Sequence, residues 1–338
     1  MNGGQNLDFD MKILFKFVHC FLEIFVRPIL HKIGYDIVVE VGWVPEKKRD
    51  WALMSGYHDL IASYRPANVQ CGETPKIIWQ FWWQGVELAP QVVKRCFASV
   101  REFMSKDYSI VVLDKYNLDQ YVEIDPVIRE KHDKGIINHT HFSEYVRVKL
   151  LSERGGIWID STVFLSGRIP NDILTSRFFI FKSGPFAFPE EIPPDVSFLA
   201  PISTFAHGSG RLLPSTWFLV SGKGSPIHSL NVKFLEAYWR RENKQHLYFI
   251  QHVFITYAIC ANKYCRQEFV SAPTYLNFRP HYLMFRRDEK ATTNLIREIF
   301  AASKIHKMTY KFSNVPEECS LLGYLLSGML LECAKRGL

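Results

Sequence analysis

From Pro75 onward the apolar positions alternate between strand-like runs and helix-like stretches. KIIWQFWW (76–83) is short and almost continuously apolar, the pattern of a strand covered on both faces. APQVVKRCFASVREFMSK (89–106) reads as a helix with Pro90 near its start. YSIVVLD (108–114) is a second buried strand that ends on an acid. Short helices are expected near 116–122 and 126–132. A longer one covers 141–154, where Thr140 or Ser143 can cap the start and Gly155-Gly156 stops the end. Ile157-Trp158-Ile159 follows as a third buried strand and finishes on Asp160. This alternation predicts an α/β fold with a largely parallel sheet. Ligands of such sheets sit at the carboxyl ends of strands, where Asp114 and Asp160 both fall.

The second half is less regular. Strands are expected at 178–181, 216–220 and 268–273, and helices at 226–241, 245–262 and 291–303. The stretch from 182 to 215, rich in Pro, Gly and Ser, reads as a long functional lid. Residues 1–70 read as an extension. Within it, Lys12, Lys16, His19, Glu23 and Arg27 draw a narrow polar stripe along an apolar helix over 13–30. Such a helix lies either in a membrane interface or against a partner or the core. CSLLGYLLSGMLLECAKRG (319–337) raises the same choice. Its thirteen uncharged residues before Glu332 are too few to span a bilayer.

Composition narrows the class. The chain has 338 residues, 47% apolar and 14% aromatic, enough for a sizeable globular core. The net charge of +7 is dispersed, which suits an anionic small molecule or an acidic membrane surface. No basic stripe interleaves with stacking aromatics, so nucleic acid is not an expected partner. Seven cysteines at spacings unlike zinc sites, and no secretory leader, point to a reducing, cytoplasmic setting. The Asn138-His139-Thr140 sequon is without consequence there. No G-x-G-x-x-G follows the first strand, which argues against a dinucleotide oxidoreductase.

The charged residues around the third strand carry the chemistry. Glu144 and Arg147 lie three apart on one helix face, and by themselves they read as an ion pair. The helix, the Gly-Gly turn and the strand bring that face to the strand end, so Glu144, Arg147 and Asp160 converge on one crevice. A carboxylate after Ile-Trp-Ile must be solvated, hydrogen-bonded, metal-bound or capping a turn. His139 and His141 supply two histidines with no third ligand, a poor zinc site. His252 reads as a packed helical histidine, or as part of a helix lining an acceptor side. HGSGR (207–211) reads as a flexible loop ahead of a phosphate nest. Asp114 either contacts a ligand or starts a turn.

FSEYVRVKLLSERGGIWIDSTVFL (142–165) resembles the centre of glycosyltransferase family 32 sequences, and more narrowly the bacterial capsular polysaccharide synthesis proteins. That pattern runs S-D/E-x-x-R, an apolar helix, Gly-Gly, an aromatic and a D-x-D-type motif. TPKIIWQFWWQG (74–85) resembles the family's opening strand, DYSIVVLD (107–114) its second, and IHKMTYK (305–311) a late basic and aromatic motif. The likeness covers roughly residues 74–311.

The resemblance implies a GT-A fold, Rossmann-like, with a mostly parallel central sheet flanked by helices. This domain would span 71–312, between the helical extensions 1–70 and 313–338. It implies a retaining hexosyltransferase that uses a nucleotide-diphosphate sugar. The acceptor would be a growing capsular or surface polysaccharide or a lipid-linked glycan, on the inner face of the membrane. Trp82 matches the aromatic that stacks on the base, and Gln80 on the same strand joins it in the donor site. Glu144 and Arg147 match the acid and base that hold the donor sugar and phosphates. Asp160 matches the first aspartate of a motif that binds Mn²⁺ or Mg²⁺. Thr162 stands where the second aspartate is found in many members, which moves weight onto His306, Lys307 and Lys311 as donor-phosphate ligands. His306 is the alternative late metal ligand. The competing readings are a non-catalytic subunit of a polysaccharide assembly complex and a sugar-phosphate transferase.

Overall fold

The computed structural model describes residues 56–67, 72–182, 214–246, 248–275, 277, 279–312 and 316–338. All belong to the unit Lys47–Leu338. The central sheet has the order β2-β1-β3-β6-β5, with β1 Ile77–Phe81, β2 Ser109–Leu113, β3 Gly156–Ile159, β5 Phe178–Phe181 and β6 Ser215–Ser221. β1 runs parallel to β2 and β3, whereas β6 runs antiparallel to both β3 and β5. The sheet is therefore mostly parallel with one reversed strand, and helices flank it. Continuous apolar runs make these strands because both faces are covered: every residue of β3, β5 and β6 is buried. A short second sheet pairs β4 (Val163–Leu165) with β7 (Ile305–Lys307), antiparallel, with Val163 opposite Lys307 and Phe164 opposite His306.

The helices that matter to the site are α1 (His58–Ser63), α2 (Gln91–Met104), α3 (Pro126–Asp133) and α4 (His139–Glu153), then α5 (Pro226–Arg241), α6 (Ile250–Ala261) and α7 (Lys263–Ser271). α4 is the central one. Nine of its side chains are buried, Glu144 and Arg147 among them. It begins two residues earlier than its apolar pattern suggests because Asn138, rather than Thr140 or Ser143, caps it, accepting from His141 N at 3.0 Å. It ends at the glycine pair. Gly156 has φ +106, and a Cβ there would lie 2.7 Å from Ile77 Cγ2 and 2.8 Å from Ile77 O. Only glycine lets β3 run this close to β1. Trp79 Nε1 closes the turn by donating to Gly155 O at 2.9 Å.

Several expectations need correction. The run 268–273 is not a strand but lies mostly in α7, nucleated by Asn262, whose side chain accepts from Tyr264 N and Cys265 N. The expected helix over 245–262 starts only at Ile250. The apolar C-terminal stretch forms two helices, α9 (Leu321–Ser327) and α10 (Met329–Lys335), after α8 (Thr293–Ala302). Arg95 of α2 donates to the Leu326 and Ser327 carbonyls at 2.9 Å each and so caps the end of α9. Leu321, Leu322, Leu325 and Leu330 pack into a core with Val92, Cys96, Phe164 and Ile299, so this apolar face is covered by the domain itself. Among the described residues no helix is long and apolar enough to cross a membrane. The polar-striped helix expected over 13–30 lies outside the described residues. So do the HGSGR segment and nearly all of the expected lid.

Candidate functional site

Asp160 is the first residue beyond β3. Its backbone N–H donates to Trp217 O at 2.9 Å, which extends the β3–β6 pairing by one residue and fixes where the carboxylate points. Oδ1 accepts from Trp158 Nε1 at 2.8 Å and from Arg147 Nη2 at 2.9 Å. Oδ2 accepts from Lys307 Nζ at 3.0 Å. Burial alone would raise the Asp160 carboxyl. Lys307, Arg147 and the Trp158 bond outweigh it and hold the group below the usual carboxylate range, so it is ionised at neutral pH.

Arg147 reaches this point from α4. Its guanidinium lies over the Trp158 ring at 5.2 Å, and Nη1 donates to Gln251 Oε1 at 3.3 Å. Gln251 in turn donates to Glu144 O at 3.2 Å, tying α6 to α4. The Glu144 carboxylate pairs with His141 Nδ1 at 2.9 Å. Lys307 comes from β7, and its ammonium also donates to Thr162 Oγ1 at 2.7 Å.

Glu144, Arg147, Asp160 and Lys307 line a cavity of about 240 Å³ together with Thr216, Trp217, Tyr248, His252 and His281. His252 is pushed down to about 3 by burial first and by Arg147 second. His281 is pushed down to about 4 by burial, against a bond to Asn277 O that favours its charge. Both imidazoles are neutral at physiological pH. The cavity thus offers two cations, two carboxylates and two uncharged imidazoles: sites for an anion, and donors and acceptors suited to hydroxyl groups.

A divalent cation does not fit this donor set. Mg²⁺ and Mn²⁺ need oxygen ligands with free lone pairs. Asp160 Oδ1 already accepts two hydrogen bonds, and the Lys307 ammonium lies against both Oδ2 and the neutral Thr162 hydroxyl, so a divalent ion there would meet a positive charge in its place. Among the described residues no group of three His, Cys, Asp or Glu side chains is placed to hold a metal.

Of the residues the sequence nominates, the fold brings Glu144, Arg147, Asp160 and Lys307 together. It does not bring His306. Successive strand residues face opposite sides, so when Lys307 faces the cavity His306 turns inward. His306 is fully buried, near the rings of Phe164 and Phe300, with Nε2 bonded to Ser166 Oγ at 2.8 Å. Burial pushes it down to about 3, so it carries no charge for a phosphate, and its inward position keeps it from Asp160. Lys311 lies outside the cavity, with its ammonium 5.7 Å from the Tyr310 ring centre. Gln80 is fully buried in β1 and does not line the cavity. Trp82 is half-buried just past β1 and meets Tyr310 edge-on at 5.3 Å, on the segment that follows Lys307. Asp114 caps a turn, accepting from Tyr116 N and Asn117 N. His139 and His141 have separate partners, His132 and Glu144.

Of α6 the sequence nominates His252 alone, as packing or as lining an acceptor side, and the cavity lining favours the second; Gln251 is not nominated. The signal was there: a Gln-His pair interrupts the otherwise apolar IQHVFI. Sequence reasoning also missed Trp158 as a hydrogen-bond donor to the acid two residues on.

A family model described as "Capsular polysaccharide synthesis protein" matches residues 46–322. Among solved structures, one described as "PaToxG Glycosyltransferase" is similar with a TM-score of 0.35 and 12% identity, over 77% of this chain and 97% of that one. No curated protein matches this chain.

Proposed function

This chain belongs to the capsular polysaccharide synthesis protein family, and on that premise we propose that it is a retaining glycosyltransferase. It takes a sugar from a nucleotide-diphosphate donor and adds it to a growing capsular or lipid-linked glycan. The observation that carries this reading is the pair of cations, Arg147 and Lys307, held on either side of Asp160 at the carboxyl end of β3.

Breaking the bond between the anomeric carbon and the diphosphate leaves negative charge on the leaving oxygens. Cations fixed in advance stabilise that charge without reorganising during the reaction. Asp160 does the fixing. Lys307 has three N–H donors, of which Asp160 and Thr162 take two. One remains for a phosphate oxygen. Arg147 has five N–H donors, of which Gln251 and Asp160 take one each, so its terminal nitrogens keep further donors. Glu144 and the neutral His252 line the same cavity, and in this reading they orient sugar hydroxyls. In the transfer, the anomeric C–O bond to phosphate breaks and the acceptor oxygen bonds to the same face of that carbon. The acceptor proton passes to the leaving phosphate oxygen. Trp82 and Tyr310 offer aromatic surface for the base, where stacking is worth about 1–3 kcal/mol.

The test is a screen of nucleotide sugars against the full-length protein, scored by release of nucleoside diphosphate with a glycan acceptor present. Asp160→Asn lowers turnover about 100- to 1,000-fold with an unchanged circular dichroism spectrum. Full activity in that variant sinks the assignment. Phosphorus retained in the product would identify sugar-phosphate transfer instead.

A further inference from the structure

The segment resembles a metal motif of D-x-D type, in which a second acid stands at the third position. Here the third position is Thr162, and the gap between it and Asp160 is spanned by the Lys307 ammonium, at 3.0 Å from the carboxylate and 2.7 Å from the hydroxyl. We propose that Lys307 is the built-in cation of this site, and that the protein binds and activates its diphosphate donor without a divalent metal. The proposal rests on the donor class stated above and specifies how that donor is held.

Three features of the fold support it. Backbone pairing sets where the Lys307 side chain leaves β7, and its bonds to Asp160 and Thr162 hold the ammonium. β7 is in register with β4, and Met308 N donates to Thr162 O at 2.8 Å while Ser166 N donates to Lys304 O at 3.0 Å, so the two ends of the short sheet are both tied. Next, the charge is right. Lys307 and Arg147 together place two positive charges around one carboxylate, the same charge that a divalent ion would bring. Lastly, the threonine makes sense as the partner of an ammonium. A hydroxyl accepts the Lys307 N–H without cancelling its charge, whereas a second carboxylate at 162 would neutralise the lysine and leave less attraction for phosphate.

Lysine is a compact point charge suited to phosphate, and each hydrogen bond it gives to an anion is charge-assisted. The ligand class is therefore a diphosphate, recognised by Lys307 and Arg147 through their remaining N–H groups.

The experiment is calorimetric titration of the full-length protein with inorganic pyrophosphate and with UDP, GDP, CDP and ADP, once in EDTA and once in excess Mn²⁺. Electron paramagnetic resonance of free Mn²⁺ is run in parallel on the protein alone. At least one nucleoside diphosphate binds equally in the two buffers, within about threefold, and the protein alone depletes no Mn²⁺ from solution. Lys307→Met weakens diphosphate binding about 10- to 100-fold in EDTA. The double variant Thr162→Asp with Lys307→Met gains stoichiometric Mn²⁺ binding, because it restores two carboxylates with no ammonium between them. Diphosphate binding that appears only with Mn²⁺ overturns the proposal and leaves the glycosyltransferase reading standing. Absence of diphosphate binding in both buffers overturns both. The wild-type titrations decide the matter even if a Lys307 variant fails to fold.

Discussion

Replacing Gly156 with alanine tests the join that aligns α4 with β3. The substitution has two separable costs. The backbone at Gly156 has φ +106, a conformation that costs an L-residue about 1–3 kcal/mol. The new Cβ would also meet Ile77 Cγ2 at 2.7 Å, Ile77 O at 2.8 Å and Trp79 Nε1 at 2.9 Å. Two of these belong to β1 backbone or to a tryptophan already bonded to Gly155 O, so neither yields without moving the strand. Overpacking of this kind adds about 1–3 kcal/mol. The sum, about 2–6 kcal/mol, is a large share of a typical folding free energy of about 5–15 kcal/mol. Gly224 supplies the control: its φ is +81, yet nothing lies within 4 Å of a Cβ there. Gly224→Ala should therefore lose the backbone part alone, about 1–2 kcal/mol. Urea unfolding followed by circular dichroism gives both values. Equal losses in the two variants, or a Gly156→Ala loss under about 1 kcal/mol, would refute the close-approach argument.

Two more outcomes follow from buried groups. His228, His252, His281 and His306 are held at about 3 to 4 by burial, below the ordinary value of about 6.5. The unfolded chain takes up these protons first, so stability is complete above about pH 6.5 and falls as pH drops below it, by up to about 1.4 kcal/mol per pH unit for each histidine. Asp160 acts in a lower window: its depressed carboxyl contributes stability above the unfolded value of about 3.9, lost on further acidification. Urea midpoints at about pH 7 and about pH 5 measure the first effect, and His228→Leu should flatten it; an unchanged slope counts against a buried neutral His228. Ser99 Oγ accepts from Leu165 N at 2.9 Å and donates to Cys96 O at 2.7 Å, which pins β4 to α2. Ser99→Ala should cost about 1–3 kcal/mol in the same assay, and a neutral result would mean that β4 does not depend on this anchor.

The local parts of the site are legible in the sequence. Glu144, Arg147 and Asp160 belong to one helix–turn–strand unit, and the residues that define it are the two glycines and the apolar triplet. Strands β1, β2, β3 and β5 follow from run length and punctuation. The direction of β6 does not, because Ser-Thr-Trp-Phe-Leu-Val-Ser is buried throughout and reads alike in either sense. The EFV of 268–270 has strand-forming residues, but the Asn262 cap upstream decides for helix. Within the late basic motif, the sequence cannot weigh His306 against Lys307. That choice depends on which of them faces Asp160, and so on the pairing of β7 with β4.

That pairing also sets a schedule. Lys307 meets Asp160 across 147 positions of sequence. During synthesis, every strand of the central sheet has left the ribosome before β7 is made. At about 5–20 residues per second, about 7–30 seconds separate translation of the carboxylate from that of the lysine. Until Lys307 is made, the chain lacks one of the two cations that flank Asp160 in the finished fold. The donor site is thus withheld from the emerging protein and is completed only as translation nears its end.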